Sequence, residues 1–193
     1  MSRRSLVRAA ALMAGLPRDR RVIVAVDGVD GAGKTTFADA LAGLVDRPAV
    51  RASADDFLNP SAVRYRRGRE SPEGFFLDSV DLGTLTRLLL DPFRAGRPFR
   101  RRAFDVLNDE PVETPPEVAP RDAALLLDGV FLHRPELRSR WDASILLDVA
   151  PAVSAQRLLE REGVPTRHRY VRGQELYFEA ADPAAHASLV LPW

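Results

Sequence analysis

Five short apolar runs alternate with amphipathic stretches along the chain, and this alternation predicts its main structural elements. The runs are rich in valine, isoleucine and leucine, as expected for strands buried on both faces of a parallel sheet. They lie at residues 21–27, 48–52, 123–129, 144–149 and 186–191. Helical periodicity occurs between them at residues 36–45, 81–90, 151–162 and 170–180. This order predicts an α/β domain with a parallel sheet of about five strands and helices on both faces.

The first twenty residues carry arginines ahead of an alanine- and leucine-rich stretch, which superficially resembles an export signal. Arg8 interrupts that stretch, which is short. Its apolar side chains have the spacing of one helical face, at Leu6, Ala9, Met13 and Leu16. We therefore expect residues 1–20 to form a helix packed beside the first strand.

Composition restricts the classes of protein that the chain can represent. Its 193 residues fit a single domain, and a net charge of +1 gives no reason to expect nucleic-acid binding. The absence of cysteine excludes disulfides and thiolate metal sites, and no apolar run approaches the ~20 residues of a membrane span. We expect a cytoplasmic protein that acts on a small molecule, with homo-oligomerisation left open.

Residues 28–35 fit the pattern G-x-x-x-x-G-K-[ST] of a phosphate-binding loop, between a predicted strand and a predicted helix. Glycines allow backbone amides to turn inward around an anion, and the helix dipole adds positive charge at the same point. Lys34, the only lysine in the chain, would reach the β- and γ-phosphates, while the hydroxyl of Thr35 would bind Mg²⁺. The predicted nucleotide-binding residues are Gly28, Asp30, Gly31, Ala32, Gly33, Lys34, Thr35 and Thr36.

Carboxylates follow two other predicted strands, and the carboxyl ends of parallel strands meet at one edge of the sheet. Asp128 could hold Mg²⁺ opposite Thr35, although a helix cap or a surface charge would also fit its position. Asp55 or Asp56 could orient a hydroxyl near the γ-phosphate and accept its proton. Both could equally be solvated turn residues.

Arginines predict a lid over the transferred group at about residues 157–169. Arg157 and Arg161 lie four residues apart on one predicted helix face, where guanidinium groups could stabilise a phosphoryl group. A solvated basic face is the alternative. Residues 59–76 are predicted to be a loop on the acceptor side, and residues 91–121 a functional loop or a small hairpin on the same side. The histidines have no metal-ligand spacing, so none is assigned a role.

The motifs at residues 24–36, 55–57 and 126–131 together resemble the uridine kinase / phosphoribulokinase family, especially the short uridine kinase-like proteins of high-GC bacteria. The resemblance implies a P-loop NTPase fold, ATP and Mg²⁺ as cofactors, and Asp55 as the catalytic base. It also implies that Asp128 helps bind Mg²⁺ and that Arg157 and Arg161 belong to the lid. Further residues would contact the acceptor by the same resemblance: Asp56, Phe57, Asp78, Phe104, Asp105, Arg169 and Gln174.

The resemblance implies a kinase for a small-molecule hydroxyl, with the 5′ hydroxyl of a pyrimidine nucleoside such as uridine or cytidine as the first expectation. Leu58 stands where that family usually has tyrosine, and Phe104 carries no hydroxyl. Other acceptors therefore stay open, such as pantothenate, a sugar or a sugar phosphate. A nucleotide-dependent switch or a partner-activated ATPase is the alternative from another class.

Overall fold

The computed structural model of the chain describes residues 2–163 and 168–193, apart from the side chains of Arg161 and Glu162. The helices in this part of the chain are α1 (Arg3–Ala14), α2 (Lys34–Ala42), α3 (Ser61–Arg64), α4 (Pro72–Asp78), α5 (Leu82–Leu85), α6 (Asp91–Ala95), α7 (Pro151–Glu162), α8 (His168–Ala181) and α9 (Pro183–His186). The strands are β1 (Val22–Gly28), β2 (Ala49–Ser53), β3 (Phe104–Asp105), β4 (Glu110–Pro111), β5 (Ala124–Asp128), β6 (Ala143–Asp148) and β7 (Leu189–Pro192). A π-helical turn at Thr86–Leu90 joins α5 to α6, and 3-10 turns lie at Ala54–Phe57 and Arg138–Arg140.

Five of the strands form a parallel sheet in the order β2-β5-β1-β6-β7, which confirms the predicted fold class. β1 lies in the centre and is buried along its whole length. Its alternate residues point to opposite faces of the sheet. Val24 belongs to the core that includes α1 and α2, whereas Ile23 belongs to the core that includes α5 and α6. Because helices cover both faces, the strand has to be apolar at nearly every position.

The N-terminal helix is present as expected, because Leu6, Ala9 and Met13 of α1 are buried in the core formed with α2 and β7. The prediction for the end of α2 is partly wrong. Phe37 and Leu41 are buried, but Leu44 is 56% exposed because the helix ends at Ala42 and the chain turns away at Gly43.

The predicted loops contain more regular structure than their composition indicated. Residues 59–76 include α3 and most of α4, whose start is set by the side chain of Ser71 accepting a hydrogen bond from the amide of Gly74. Residues 91–121 include α6, which was not predicted, and the antiparallel hairpin of β3 and β4, which was one of the two expectations for this segment. The last predicted strand is also shorter than expected: α9 extends to His186, and β7 begins only at Leu189.

No described helix has both the length and the apolar character needed to cross a bilayer.

Candidate active site

The carboxyl ends of β1, β2 and β5 bring the predicted functional residues to one edge of the sheet. Asp128 of β5 lies in register with Val26 of β1 and with Ser53 of β2. The phosphate loop begins at Gly28, two residues beyond Val26, and Asp55 follows Ser53 by the same interval. The side chain of Ser53 accepts a hydrogen bond from the amide of Asp55, which fixes the turn that carries this carboxylate.

The phosphate loop depends on glycine at positions where a side chain would not fit. Gly31 and Gly33 have φ angles of +73° and +80°, in the left-handed region that favours glycine. A Cβ atom on Gly31 would lie 2.9 Å from both Cγ of Leu158 and the carbonyl oxygen of Ser154. The start of α7 therefore packs directly against the outside of the loop.

The donors of the loop fit a polyphosphate. Among the described residues, no acceptor is bound to the backbone amides of Gly31 or of residues 33–36. Several of these amides belong to the first turn of α2, where the helix dipole favours an anion. Lys34 Nζ donates to the carbonyl oxygen of Val29 at 2.9 Å, which keeps the ammonium at the loop. Unpaired amides beside an ammonium are the donor set that a triphosphate requires.

Thr35 and Asp128 lie together, as a shared metal site requires. The Thr35 hydroxyl donates to Oδ2 of Asp128 at 2.7 Å, and Arg51 Nη2 donates to Oδ1 at 2.6 Å. Within the described chain there is no group of three or more histidines or acidic residues able to hold a metal by itself. An Mg²⁺ ion bound by Thr35 and Asp128 would take its remaining oxygen ligands from phosphate and water, as Mg²⁺ prefers.

Asp55 belongs electrostatically to the same site. Its side chain is accessible to solvent, but the surrounding protein displaces part of the water around its carboxyl group. This desolvation raises the pKa of the carboxyl group, and the nearby charges of Asp30 and Asp128 raise it further. The ammonium of Lys34 acts in the opposite direction. A carboxylate with a raised pKa is a better proton acceptor for a hydroxyl, so this environment suits the role of a general base.

The two residues after Asp55 have structural contacts of their own. Arg102 Nε lies 3.5 Å from a carboxylate oxygen of Asp56, and the amide of Ala103 donates to the Asp56 carbonyl oxygen. These contacts attach the segment before the β3–β4 hairpin to the turn that carries Asp55. Phe57 is only 1% exposed and belongs to the core.

Arg157 lies beside the loop, since its Nη1 atom donates to the carbonyl oxygen of Ala32 at 3.5 Å. Its role in a lid stays a prediction. The side chain of Arg161 falls outside the described residues, as do residues 164–167 of the predicted lid.

Three of the predicted acceptor-side residues form no hydrogen bond or ion pair with the loop among the described residues. Asp78 is 2% exposed and is bound by Arg66 and Arg67. Burial alone would raise the pKa of Asp78, but the hydrogen bonds from these arginines outweigh it and lower the pKa. Asp105 accepts hydrogen bonds from the amides of Leu107 and Asn108 within the hairpin. Phe104 lines a cavity of about 410 Å³ that also includes Phe57, Leu58, Arg87 and Arg100.

Helix α8 holds the two remaining predicted residues in different surroundings. Gln174 Oε1 accepts a hydrogen bond from the amide of Asp30 at 2.6 Å, so this side chain supports the phosphate loop in the structure. Arg169 is 3% exposed and donates to the carbonyl oxygen of Arg69. Contacts of either residue with an acceptor stay predictions.

Sequence reasoning missed several residues that shape the site. Arg51 binds Asp128, and the Ser154 hydroxyl donates to the carbonyl oxygen of Asp30. An arginine inside a predicted buried strand was a usable signal for Arg51, because a buried charge needs a partner. Ser154 gave no such signal. Asp27 and His133, which form a buried pair behind the loop, were also assigned no role.

Comparison with known proteins identifies kinases that are similar to this chain in sequence or in fold. A thymidylate kinase from Xylella fastidiosa is 34% identical over 157 residues, which cover 75% of this chain and 69% of that protein. A structure described as a possible uridine kinase from Bacillus stearothermophilus has a TM-score of 0.78 at 23% identity, with 98% of each chain covered. A candidate fructose transport system kinase from Silicibacter sp. TM1040 has a TM-score of 0.72 at 25% identity over the full length of both chains. No family model matches the chain.

The fold and the site define a nucleotide-binding protein built on a phosphate loop. The chain belongs to the P-loop kinases, the family that includes the thymidylate kinases it matches. It is therefore a kinase by family, and the identity of its acceptor is a separate question.

We predict that Gly31→Ala abolishes most nucleotide binding, because the new Cβ atom would press on α7 and strain a backbone with φ of +73°. Gly68→Ala is the matched control, since Gly68 also has a positive φ, of +102°, but a Cβ there meets nothing within 4 Å. Calorimetric titration with ATP and Mg²⁺ measures both dissociation constants. Equal losses of affinity in the two variants would contradict the role given to the close contact with α7.

We predict that Asp55→Asn raises the melting temperature slightly at pH 7. The folded-state pKa of Asp55 is raised, so its stabilising contribution is complete below the unfolded-state pKa of about 3.9 and is lost as the pH rises through the folded-state pKa. Solvent access to the side chain keeps the effect small. Melting curves from pH 4 to pH 8 should show the gain shrinking toward acid. A variant that is less stable than the wild type at pH 7 would contradict the prediction.

Proposed function

We propose that the protein is an ATP- and Mg²⁺-dependent phosphotransferase that phosphorylates a hydroxyl group of a small molecule. The observation that carries the proposal is the position of Asp55. Its carboxyl group is close enough to Lys34, Asp30 and Asp128 for their charges to shift its pKa. A kinase requires this combination of a phosphate cradle and an adjacent proton acceptor.

Each residue has a defined task in this scheme. Bound ATP with Mg²⁺ supplies the phosphoryl group, whose bond to ADP breaks as the bond to the acceptor oxygen forms. Asp55 orients the acceptor hydroxyl and takes its proton. Lys34 and the loop amides bind the phosphates, and Arg157 stabilises charge on the transferred group from the side of α7. Thr35 and Asp128 place the metal ion.

A pyrimidine nucleoside, uridine or cytidine, is the acceptor that the motif resemblance favours, with the 5′-monophosphate as product. The cavity of about 410 Å³ supports this proposal, because Leu58 and the aromatic rings of Phe57 and Phe104 contribute to its lining. A space of this size suits a small ligand. Asp56 and Asp105 would then lie on the acceptor side, near the hairpin.

An anionic acceptor, such as a sugar phosphate, is a second candidate that one cluster favours. The guanidinium groups of Arg69 and Arg169 lie 4.9 Å and 5.0 Å from the ring centre of Tyr65. Neither arginine has a carboxylate partner among the described residues, and the buried Nε atom of Arg169 has no hydrogen-bond partner there. Arg169 lies five residues before Gln174, which contacts the loop, so about 7.5 Å of helix separates them. Unpaired guanidinium groups at this position could bind a phosphate or carboxylate of the acceptor.

We predict that Asp55→Ala abolishes acceptor-dependent ADP release while ATP binding is retained. General-base catalysis typically contributes about 10²- to 10⁴-fold, so the loss of rate should be of that order. Asp56→Ala is the comparison, because Asp56 pairs with Arg102 and should cost much less. A nucleotide-dependent switch behaves differently: it would have no acceptor-dependent turnover, and Asp55→Ala would leave its partner binding intact.

We predict that a panel of nucleosides, pantothenate, sugars and sugar phosphates separates the two acceptor candidates by their rates of ADP release. If the acceptor is anionic, Arg69→Ala should raise its KM by about tenfold through loss of a charge-assisted hydrogen bond. Arg172→Ala is the control, since Arg172 on α8 already pairs with Glu175 and Glu179. A neutral nucleoside as the best acceptor, with an unchanged KM in Arg69→Ala, would exclude the anionic candidate.

A further inference from the structure

Asp27, the residue directly before the phosphate loop, has a carboxylate that is completely buried. Its Oδ1 atom accepts a hydrogen bond from the amide of Gly28 at 2.7 Å. Its Oδ2 atom accepts from the amide of Leu132 at 3.1 Å, from Nδ1 of His133 at 2.7 Å and from the hydroxyl of Tyr177. We call Asp27, His133 and Tyr177 the Asp27 cluster.

The donors around Asp27 act in place of an arginine or lysine partner. No ion pair joins Asp27 to an arginine or lysine in the described residues, and an uncompensated buried carboxylate is costly. Burial and the charge of Asp27 raise the pKa of Tyr177 far above its usual range, so the phenol keeps its proton and donates it. His133 Nε2 lies 2.9 Å from the hydroxyl of Ser144, which fixes the ring from its other side.

The Asp27 cluster joins three segments that are distant in sequence. Asp27 ends the apolar run before the loop, and His133 lies in the segment that follows the metal carboxylate Asp128. Tyr177 belongs to α8. The same helix contacts the loop one turn earlier, where Gln174 accepts the hydrogen bond from the amide of Asp30. Residues three apart share a helix face, so α8 holds the loop on both sides of Val29.

These ties act on the amides of Gly28 and Asp30 rather than on the loop amides that have no acceptor in the described part of the chain. Gly28 and Asp30 donate their amides to protein acceptors, whereas the amides of Gly31 and residues 33–36 have no acceptor within the described part of the chain. Fixing the outer peptides keeps the inner amides oriented before a ligand arrives. A loop ordered in advance binds more tightly because less conformational entropy is lost on binding.

We propose that Asp27, His133 and Tyr177 are positioning residues that pre-organise the phosphate loop for nucleotide binding. The proposal rests on the nucleotide-binding part of the proposed function and needs no statement about the acceptor.

Tyr177→Phe is the sharpest test, because it removes one hydroxyl and leaves the ring packed against Phe76, Phe131 and Phe178. We expect the dissociation constant for ATP with Mg²⁺ to rise by about 2- to 30-fold, the range of typical coupling energies. Hydrogen exchange of residues 28–36 in the protein without nucleotide should also become faster.

Ile23→Val is the matched control. Ile23 is 1% exposed and lies in the same strand as Asp27, on the far side of the sheet from the α1 and α2 core. The substitution lowers stability through a small cavity and touches no hydrogen bond of the cluster. It should lower the melting temperature while leaving nucleotide affinity and loop exchange unchanged.

Asp27→Asn is a second test. Both carboxylate oxygens of Asp27 accept hydrogen bonds, whereas the amide nitrogen of asparagine cannot accept one. This variant should therefore weaken nucleotide binding more than Tyr177→Phe. Wild-type affinity and wild-type loop exchange in Tyr177→Phe would overturn the proposal, as would equal effects in Ile23→Val. Because the readout is binding, the test stands even if the acceptor panel shows no phosphoryl transfer. That result would contradict the proposed function alone.

Discussion

The phosphate loop leaves the amides of Gly31 and of residues 33–36 without acceptors in the described part of the chain, and the surrounding structure holds the loop in this state. Unpaired amides are costly when buried, so the loop can present them only where a ligand or water completes their bonds. Three carbonyl oxygens of the loop accept hydrogen bonds from side chains: that of Val29 from Lys34, that of Asp30 from Ser154, and that of Ala32 from Arg157. The fold thus fixes the loop from outside and leaves its inner surface available for an anion.

The charged groups at this edge of the sheet give the carboxylates of Asp55 and Asp128 different environments. Asp30, Asp55 and Asp128 lie close enough to affect one another, which raises the pKa of Asp55. Arg51 forms an ion pair with Asp128. Among the charged groups that act most strongly on Asp55, Lys34 alone lowers the pKa of its carboxyl group. One carboxylate therefore has a guanidinium partner, and the raised pKa of the other makes it a better proton acceptor. Two acids at the same edge acquire different chemistry from their neighbours.

The features that depend on residues close together in the sequence could be predicted from it. The apolar runs predicted the sheet because strands covered on both faces must be apolar, and the loop residues were recognisable because glycine, lysine and threonine each have a specific task at fixed spacing. The helix predicted at residues 36–45 was too long, because the apolar periodicity continues to Leu44 although α2 ends at Ala42. The Asp27 cluster could not be predicted, because its members lie at positions 27, 133 and 177 and only the folded chain brings them together.

The acceptor is the hardest part of the function to derive, and the topology explains why. The loop, Asp55 and Asp128 stand at the ends of three adjacent strands, so the sheet itself fixes their geometry. The proposed acceptor side lies instead in the segment between β2 and β5, where short helices and a hairpin of two-residue strands are held by arginine contacts such as those of Asp78 and Asp56. Such a segment can change its pocket without disturbing the sheet. The family relationship therefore supports a kinase without identifying its acceptor, and in the proposed scheme specificity depends on whether the groups around Phe104 or those around Tyr65 contact the acceptor.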